Sequence, residues 1–375
     1  MRPLEFFLGL SAGLILLAAW AGWMWVLPAF ALPRPPGPHP VGTTTAVVTT
    51  GTGGPISLRI WYPASGIAGC RRAPYATETD PVEARFASGA RKAKTHSFVS
   101  APPAPAPPGG WPAVLYSPSW EGSLIENTTL CEALASEGFV VIAIARPGGP
   151  SLPPLDFQSE ESVRSFERAM ATELQNRTDR VLEVFAALPA FGSGGILEDP
   201  LRLPINAQAV GVMGYSFGGA VAAEACVREP RLRCGADLDG TLFGQAAREG
   251  APQPFLFVTD TAPIPSEADR RSADPAIRRQ AEFYAGSFLD IERWLAVRGG
   301  WMVRLDGVQH ANFSDRPLYS PIRRWTGAGP RNPRETLSVI TGCTAEFFQT
   351  FLRGENPAGK WQTQPGTAVE KHPAP

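Results

Sequence analysis

A basic excess, paired metal-binding cysteines and a phosphate-loop lysine are all missing from this chain. Its 34 Lys and Arg are offset by 35 Asp and Glu, for a formal net charge of −1. That balance gives no sign of a nucleic-acid partner, which would usually show as a basic face. Five cysteines in 375 residues (Cys70, Cys131, Cys226, Cys234 and Cys343) are too few and too scattered for a disulfide scaffold. No CxxC or Cys/His spacing suggests a metal site. Cys226 and Cys234 fall on adjoining elements, either as a pair in an oxidising compartment or as two buried thiols. The Gly-rich motif at 214–219 has no Lys-Ser or Lys-Thr to close a P-loop. No internal repeat interrupts the chain, and histidine is scarce, with four in all.

Charge is also absent from one stretch, Phe6 to Leu27. Its 22 residues, at about 1.5 Å each, match a bilayer core of about 30 Å. Trp20, Trp23 and Trp25 gather at its far end, where amphipathic rings favour the headgroup region. Ala29-Phe30-Ala31 has the small residues of a signal-peptidase site, although the run exceeds the usual apolar core of a signal peptide. Residues 1–32 are thus expected to be a membrane anchor or a signal peptide, with the body exported on the periplasmic or extracellular side. Pro33–Pro40 is a stiff linker.

What the chain does have is a hydrophobic content of 44% with 18% charged residues, enough for a sizeable core. After residues 43–49 and 56–62, which read as an antiparallel pair of strands, residues 63–110 are polar and irregular and read as a surface excursion. From Trp111 onwards strand and helix alternate. Phe139–Ala145 is apolar throughout, as a parallel strand buried on both faces should be. Val163, Phe166, Met170 and Leu174 make a helical stripe. Further strands are expected at 209–213, 234–238, 254–259 and 301–305, with helices at about 275–296 and 335–352. This alternation predicts an α/β domain over 33–352 with a mostly parallel central sheet flanked by helices. The Pro/Gly-rich residues 353–375 are expected to be a disordered tail. Leu318-Tyr319-Ser320-Pro321-Ile322 with Trp325 reads as a packed loop, with contact to an interface as the alternative.

The motif with the most chemistry is Gly214-Tyr215-Ser216-Phe217-Gly218-Gly219, between an apolar run and the Ala-rich segment from Ala220 to Ala225. A strand, a sharp turn carrying Ser and a helix make a nucleophile elbow. Ser216 is the candidate nucleophile, and the turn aims the Phe217 N–H at a developing oxyanion. A Ser hydroxyl needs a base, normally His oriented by a carboxylate. His39 lies in the linker, His96 in the excursion and His372 in the tail, which leaves His310, just past the strand at 301–305. The acid should fall between Ser216 and His310 in the chain. Asp239 and Asp260, each at the end of a strand, both qualify. The second oxyanion donor should come from Ser117-Pro118-Ser119-Trp120-Glu121-Gly122. Pro118 has no N–H, so Trp120 is the candidate.

On these residues the chain resembles the plasma-type platelet-activating-factor acetylhydrolase family of the α/β-hydrolase superfamily, over about residues 37–350. Gly37-Pro38-His39-Pro40-Val41-Gly42, Leu58-Arg59-Ile60-Trp61-Tyr62-Pro63 and Ala135-Ser136-Glu137-Gly138-Phe139 are similar to segments of that family. The resemblance implies the acid is Asp239, 23 residues after Ser216 in a Leu-Asp context. It also implies an α/β-hydrolase fold and a serine ester hydrolase acting on a short or oxidised acyl chain of a glycerophospholipid. A broader carboxylesterase for soluble or polymeric esters is the alternative, and a non-catalytic binding protein of this fold a more remote one. Because water completes the reaction, no cofactor or metal is expected. Two positions depart from the family. Pro118-Ser119-Trp120-Glu121 replaces His-Gly-Leu-Gly, and Tyr215 replaces a common His.

Overall fold

A computed structural model of the protein describes residues 11–20, 30–49, 54–146, 152–198, 201–356, 362 and 364–373. Strands β1 (Val41–Val48) and β2 (Ile56–Pro63) pair antiparallel, from Val41↔Pro63 to Val48↔Ile56. The remaining strands are β3 (Arg72–Pro74), β4 (Lys94–Val99), β5 (Trp111–Ser117), β6 (Val140–Ile144), β7 (Ile205–Tyr215), β8 (Cys234–Leu238), β9 (Phe255–Asp260), β10 (Gly300–Leu305) and β11 (Thr367–His372). They form one sheet in the order β11-β10-β9-β8-β7-β5-β6-β2-β1-β4-β3. From β6 to β10 every neighbour is parallel.

The main helices are α1 (Ala84–Lys92), α2 (Thr128–Ser136), α3 (Glu160–Ala187), α4 (Phe217–Arg228), α5 (Pro275–Arg298) and α6 (Pro333–Arg353). Successive side chains of a strand point to opposite faces, so β5 feeds two cores. Ala113 and Leu115 pack with Leu174, Val181, Val221 and Trp294 of α3, α4 and α5. Val114 and Tyr116 pack with Leu130, Leu134, Ile340 and Phe348 of α2 and α6. Each fully buried large apolar side chain contributes about 1.5–3 kcal/mol. Helix starts are marked locally. Asp274 accepts the Ala276 N–H at 2.8 Å and Asn332 the Arg334 N–H at 2.9 Å, and each precedes a Pro at the first helical position.

Two expectations need correction. Residues 63–110 contain β4 and β3, which extend the sheet beyond β1, together with α1, and Phe86 and Tyr75 are buried there. The tail is not wholly without structure, because β11 pairs antiparallel with β10, Gly300↔His372 to Leu305↔Thr367. Ladder hydrogen bonds need no apolar run, so a strand of mixed composition can cap an edge. Cys226 and Cys234 are buried free thiols.

At the N-terminus residues 11–20 are helical and exposed. The rest of the apolar run from Phe6 to Leu27 lies outside the described residues. Among those residues no helix is long and apolar enough to cross a membrane.

Candidate active site

Ser216 sits between the last residue of β7 and the first of α4, at φ 57° and ψ −126°. This is a sparsely populated backbone conformation for a residue with a Cβ, costing on the order of 1–3 kcal/mol. The turn holds because its neighbours are small. A Cβ on Gly214 would overlap the Gly218 carbonyl, and one on Gly218 would overlap the Ser117 carbonyl at the end of β5. The Ser216 N–H donates to the Leu238 carbonyl at 2.9 Å, and the Gly219 N–H closes the turn onto the Ser216 carbonyl at 2.8 Å.

His310 follows β10, at the first residue of a short 3-10 turn, His310–Phe313. Its Nε2 lies 2.9 Å from Ser216 Oγ and its Nδ1 2.6 Å from Asp239 Oδ2. A carboxylate only accepts, so Nδ1 carries the proton and Nε2 is left to accept from the serine hydroxyl. Asp239 directly follows β8. Its other oxygen, Oδ1, accepts the Thr259 hydroxyl and the Asp260 N–H, each at 3.2 Å. The Asp260 side chain is spent elsewhere: its Oδ1 accepts the Ala262 N–H at 3.0 Å. Burial, and then the charge of Asp239, push the Asp260 carboxyl up. Of the two carboxylates that sequence order left open, Asp239 is the one beside His310.

The histidine loop is held at both ends. Tyr215 donates its hydroxyl to the His310 carbonyl at 2.9 Å. Asn312 Oδ1 accepts the Gln309 and Gly329 N–H groups at 3.0 and 2.7 Å.

On the other side of Ser216 runs the loop after β5. Phe217 is the first residue of α4, so its N–H has no acceptor within the helix. The Ser119 N–H is committed to Glu126 Oε1 at 2.6 Å, which leaves Trp120 as the next backbone donor along the loop. The Trp120 ring meets the Phe217 ring edge-on, centroids 4.7 Å apart. Behind both rings lies the Arg177 guanidinium of α3, 5.4 Å and 5.0 Å from their centroids. Ser216 and His310 open into a cavity of about 690 Å³ whose walls include Val82, Phe86, Trp120, Leu152 and Tyr319. An ion pair of Arg316 with Glu83 stands at its edge. The wall from Val82 to Phe86 belongs to the segment expected to be a mere excursion. Among the described residues no group of three or more His, Cys, Asp or Glu could hold a metal ion.

Tyr215, Thr259, Glu126 and Arg177 were not singled out by sequence reasoning for the roles their contacts suggest. Only Tyr215 carried a signal, as the variable residue inside the elbow.

The sequence profile of platelet-activating factor acetylhydrolase, isoform II, matches residues 199–371, and that of the dienelactone hydrolase family matches residues 97–246. A probable 1-alkyl-2-acetylglycerophosphocholine esterase of Arthroderma benhamiae is 24% identical over 152 residues, 39% of this chain and 37% of that protein. A platelet-activating factor acetylhydrolase of Cavia porcellus is 23% identical over 257 residues, 61% of this chain and 55% of that protein. The chain thus spans about half or less of the length of these relatives. A solved ferulic acid esterase from Streptomyces cinnamoneus superposes with a TM-score of 0.63 at 22% identity, covering 91% of this chain and 99% of that one. The chain has an α/β-hydrolase-type fold and is similar to the platelet-activating factor acetylhydrolases.

Proposed function

We propose that this α/β-hydrolase is a serine ester hydrolase working through an acyl-enzyme. The observation that carries the reading is the His310 ring, 2.9 Å from Ser216 Oγ on one side and 2.6 Å from Asp239 Oδ2 on the other. Ser216 Oγ attacks the ester carbonyl while His310 Nε2 takes its proton. The tetrahedral oxyanion is met by the N–H groups of Phe217 and Trp120, each worth roughly 3 kcal/mol of transition-state stabilisation. Imidazolium then protonates the leaving alcohol, whose C–O bond breaks. Water, deprotonated by the same His310, attacks the acyl-enzyme, and Ser216 leaves with the proton. Asp239 holds the tautomer and offsets the imidazolium charge.

The substrate we favour is a short or oxidised acyl chain on a glycerophospholipid, in keeping with the similarity to platelet-activating factor acetylhydrolases. Residues 1–32 would anchor the protein to a membrane or direct its export, with the body at 33–352 on the far side. Phe30, near the end of that segment, packs against the body. Its ring packs on Tyr75 and Tyr319, centroids 4.9 and 5.0 Å away, and Tyr319 lines the cavity. Phe30 thus touches a residue that lines the pocket. The aromatic lining from Phe86, Trp120 and Tyr319 favours a second reading, a carboxylesterase for soluble or polymeric aryl esters.

A fluorophosphonate probe tests the chemistry. It should label the wild type and not Ser216→Ala, and equal labelling of both would refute Ser216 as nucleophile. A panel of phospholipids and aryl esters of graded acyl length then separates the two substrate readings.

A further inference from the structure

We propose that Arg177, on α3 and outside the Ser216–His310–Asp239 relay, is the positioning residue of the oxyanion loop, fixing the direction in which the Trp120 N–H points. The proposal rests on the ester-hydrolase reading above.

Arg177 Nη1 donates to the carbonyls of Pro118 and Ser119 at 3.2 and 2.9 Å, and Nη2 donates to that of Trp120 at 2.6 Å. Nε donates to Glu173 at 2.8 Å. One planar guanidinium thus grips three successive peptide carbonyls, with a carboxylate at its back. The side chain is only 3% exposed. A buried charge survives only when its donors are satisfied, and here most of its acceptors are backbone atoms of a single loop.

The consequence follows from peptide geometry. In a planar trans peptide C=O and N–H point in opposite directions. The Ser119 carbonyl and the Trp120 N–H belong to the same peptide unit. With that carbonyl turned toward Arg177, the Trp120 N–H faces the opposite way and cannot rotate independently. The preceding peptide is pinned at both ends, its Pro118 carbonyl by Arg177 and its Ser119 N–H by Glu126 at 2.6 Å. Glu126 in turn accepts the Ser119 and Tyr116 hydroxyls at 2.7 and 2.9 Å. A positive charge on the carbonyl side also polarises the amide and strengthens its N–H as a donor. The Trp120 and Phe217 rings pack near the guanidinium that holds those carbonyls.

The test compares the full-length wild type with Arg177→Lys and Arg177→Ala, using an aryl acetate and rates normalised to fluorophosphonate-titrated active sites, so that only folded molecules count. Lysine keeps the charge but is a point donor without the planar fork. Both variants should lose about 100-fold in kcat, the cost of a misaimed oxyanion donor, with KM within about threefold and the pH midpoint of kcat/KM in place. Their affinity for a boronic acid, which becomes tetrahedral when Ser216 Oγ adds to boron, should fall in parallel with kcat. Arg168→Ala, which removes an exposed guanidinium from the same helix, should behave as wild type. Wild-type kcat per titrated site in Arg177→Lys overturns the proposal, as does a raised KM at constant kcat. If the unaltered protein shows no Ser216-dependent turnover, the ester-hydrolase reading itself has failed.

Discussion

The ring of Tyr215 stacks on that of His310, centroids 5.0 Å apart, while its hydroxyl donates to the His310 carbonyl at 2.9 Å. The residue before the proposed nucleophile therefore supports the residue proposed as its base. Tyr215 thus links the elbow turn that carries Ser216 to the separate loop that carries His310.

Tyr215→Phe isolates that support, because it keeps the stacked ring and deletes the hydroxyl. A hydrogen bond of about 1 kcal/mol net predicts a loss of about fivefold in kcat/KM. Tyr215→Ala, which also removes the ring, should lose more. Steady-state kinetics on an aryl ester measure both, and a Phe variant slower than the Ala variant would contradict the argument.

Asp239→Asn should lower kcat by about 10⁴-fold, because the amide no longer selects the tautomer with Nδ1 protonated. Asp260→Asn should cost less than about threefold, since that residue touches Asp239 through its backbone N–H and a side-chain change leaves the bond intact. Turnover of the two variants side by side checks the assignment, and the reverse ranking sinks it.

Legibility in the sequence follows the range of the interactions. The elbow is local: strand, Gly-x-Ser-x-Gly and small-residue helix are contiguous, so Ser216 and Phe217 stand out. His310 emerges because histidine is scarce and chain order restricts the choice. Asp239 could not be told from Asp260 by position, since both end parallel strands on the same edge. Only the family resemblance pointed to it. The structure separates them by direction, with Asp239 at φ 55° turned toward His310. Arg177 carries no local signal because the carbonyls it holds lie in a loop more than fifty residues away, and its local partner Glu173 makes an ordinary i,i+4 pair. In residues 63–110 polar composition conceals two short strands at one end of the sheet and the wall-forming Phe86.

Stability should respond to pH through Glu132, a buried carboxyl on α2. Its Oε1 accepts the Ser97 N–H at 2.6 Å and the Ser97 hydroxyl. Burial pushes its pKa up from 4.5 to about 7, against the opposing effect of the Ser97 bonds. The folded carboxyl holds its proton more tightly than the unfolded one. Its stabilising contribution is therefore full below the ordinary carboxyl range and is lost as pH rises through about 7. Glu132→Gln cannot ionise, so its melting temperature relative to wild type should rise between about pH 5 and about pH 8. A difference independent of pH would show that the carboxyl is already charged in the folded protein.

Trp120 separates two contributions to the site, because its proposed catalytic group is the backbone N–H and its ring is a wall. The ring packs edge-on against Phe217 at 4.7 Å and faces the cavity that holds Ser216 and His310. A ring this large beside the proposed nucleophile should shorten the acyl group that fits. Trp120→Leu keeps the N–H and frees space beside the nucleophile. Each added methylene that finds apolar cover is worth about 0.8 kcal/mol, or about fourfold in kcat/KM. The variant should therefore gain on longer p-nitrophenyl esters relative to the acetate, by about that factor per carbon until the space is filled. Wild type should fall off over the same series. If the two chain-length profiles run parallel, the ring does not limit the acyl group, and the selectivity must come from the wall formed by Val82, Phe86 and Tyr319.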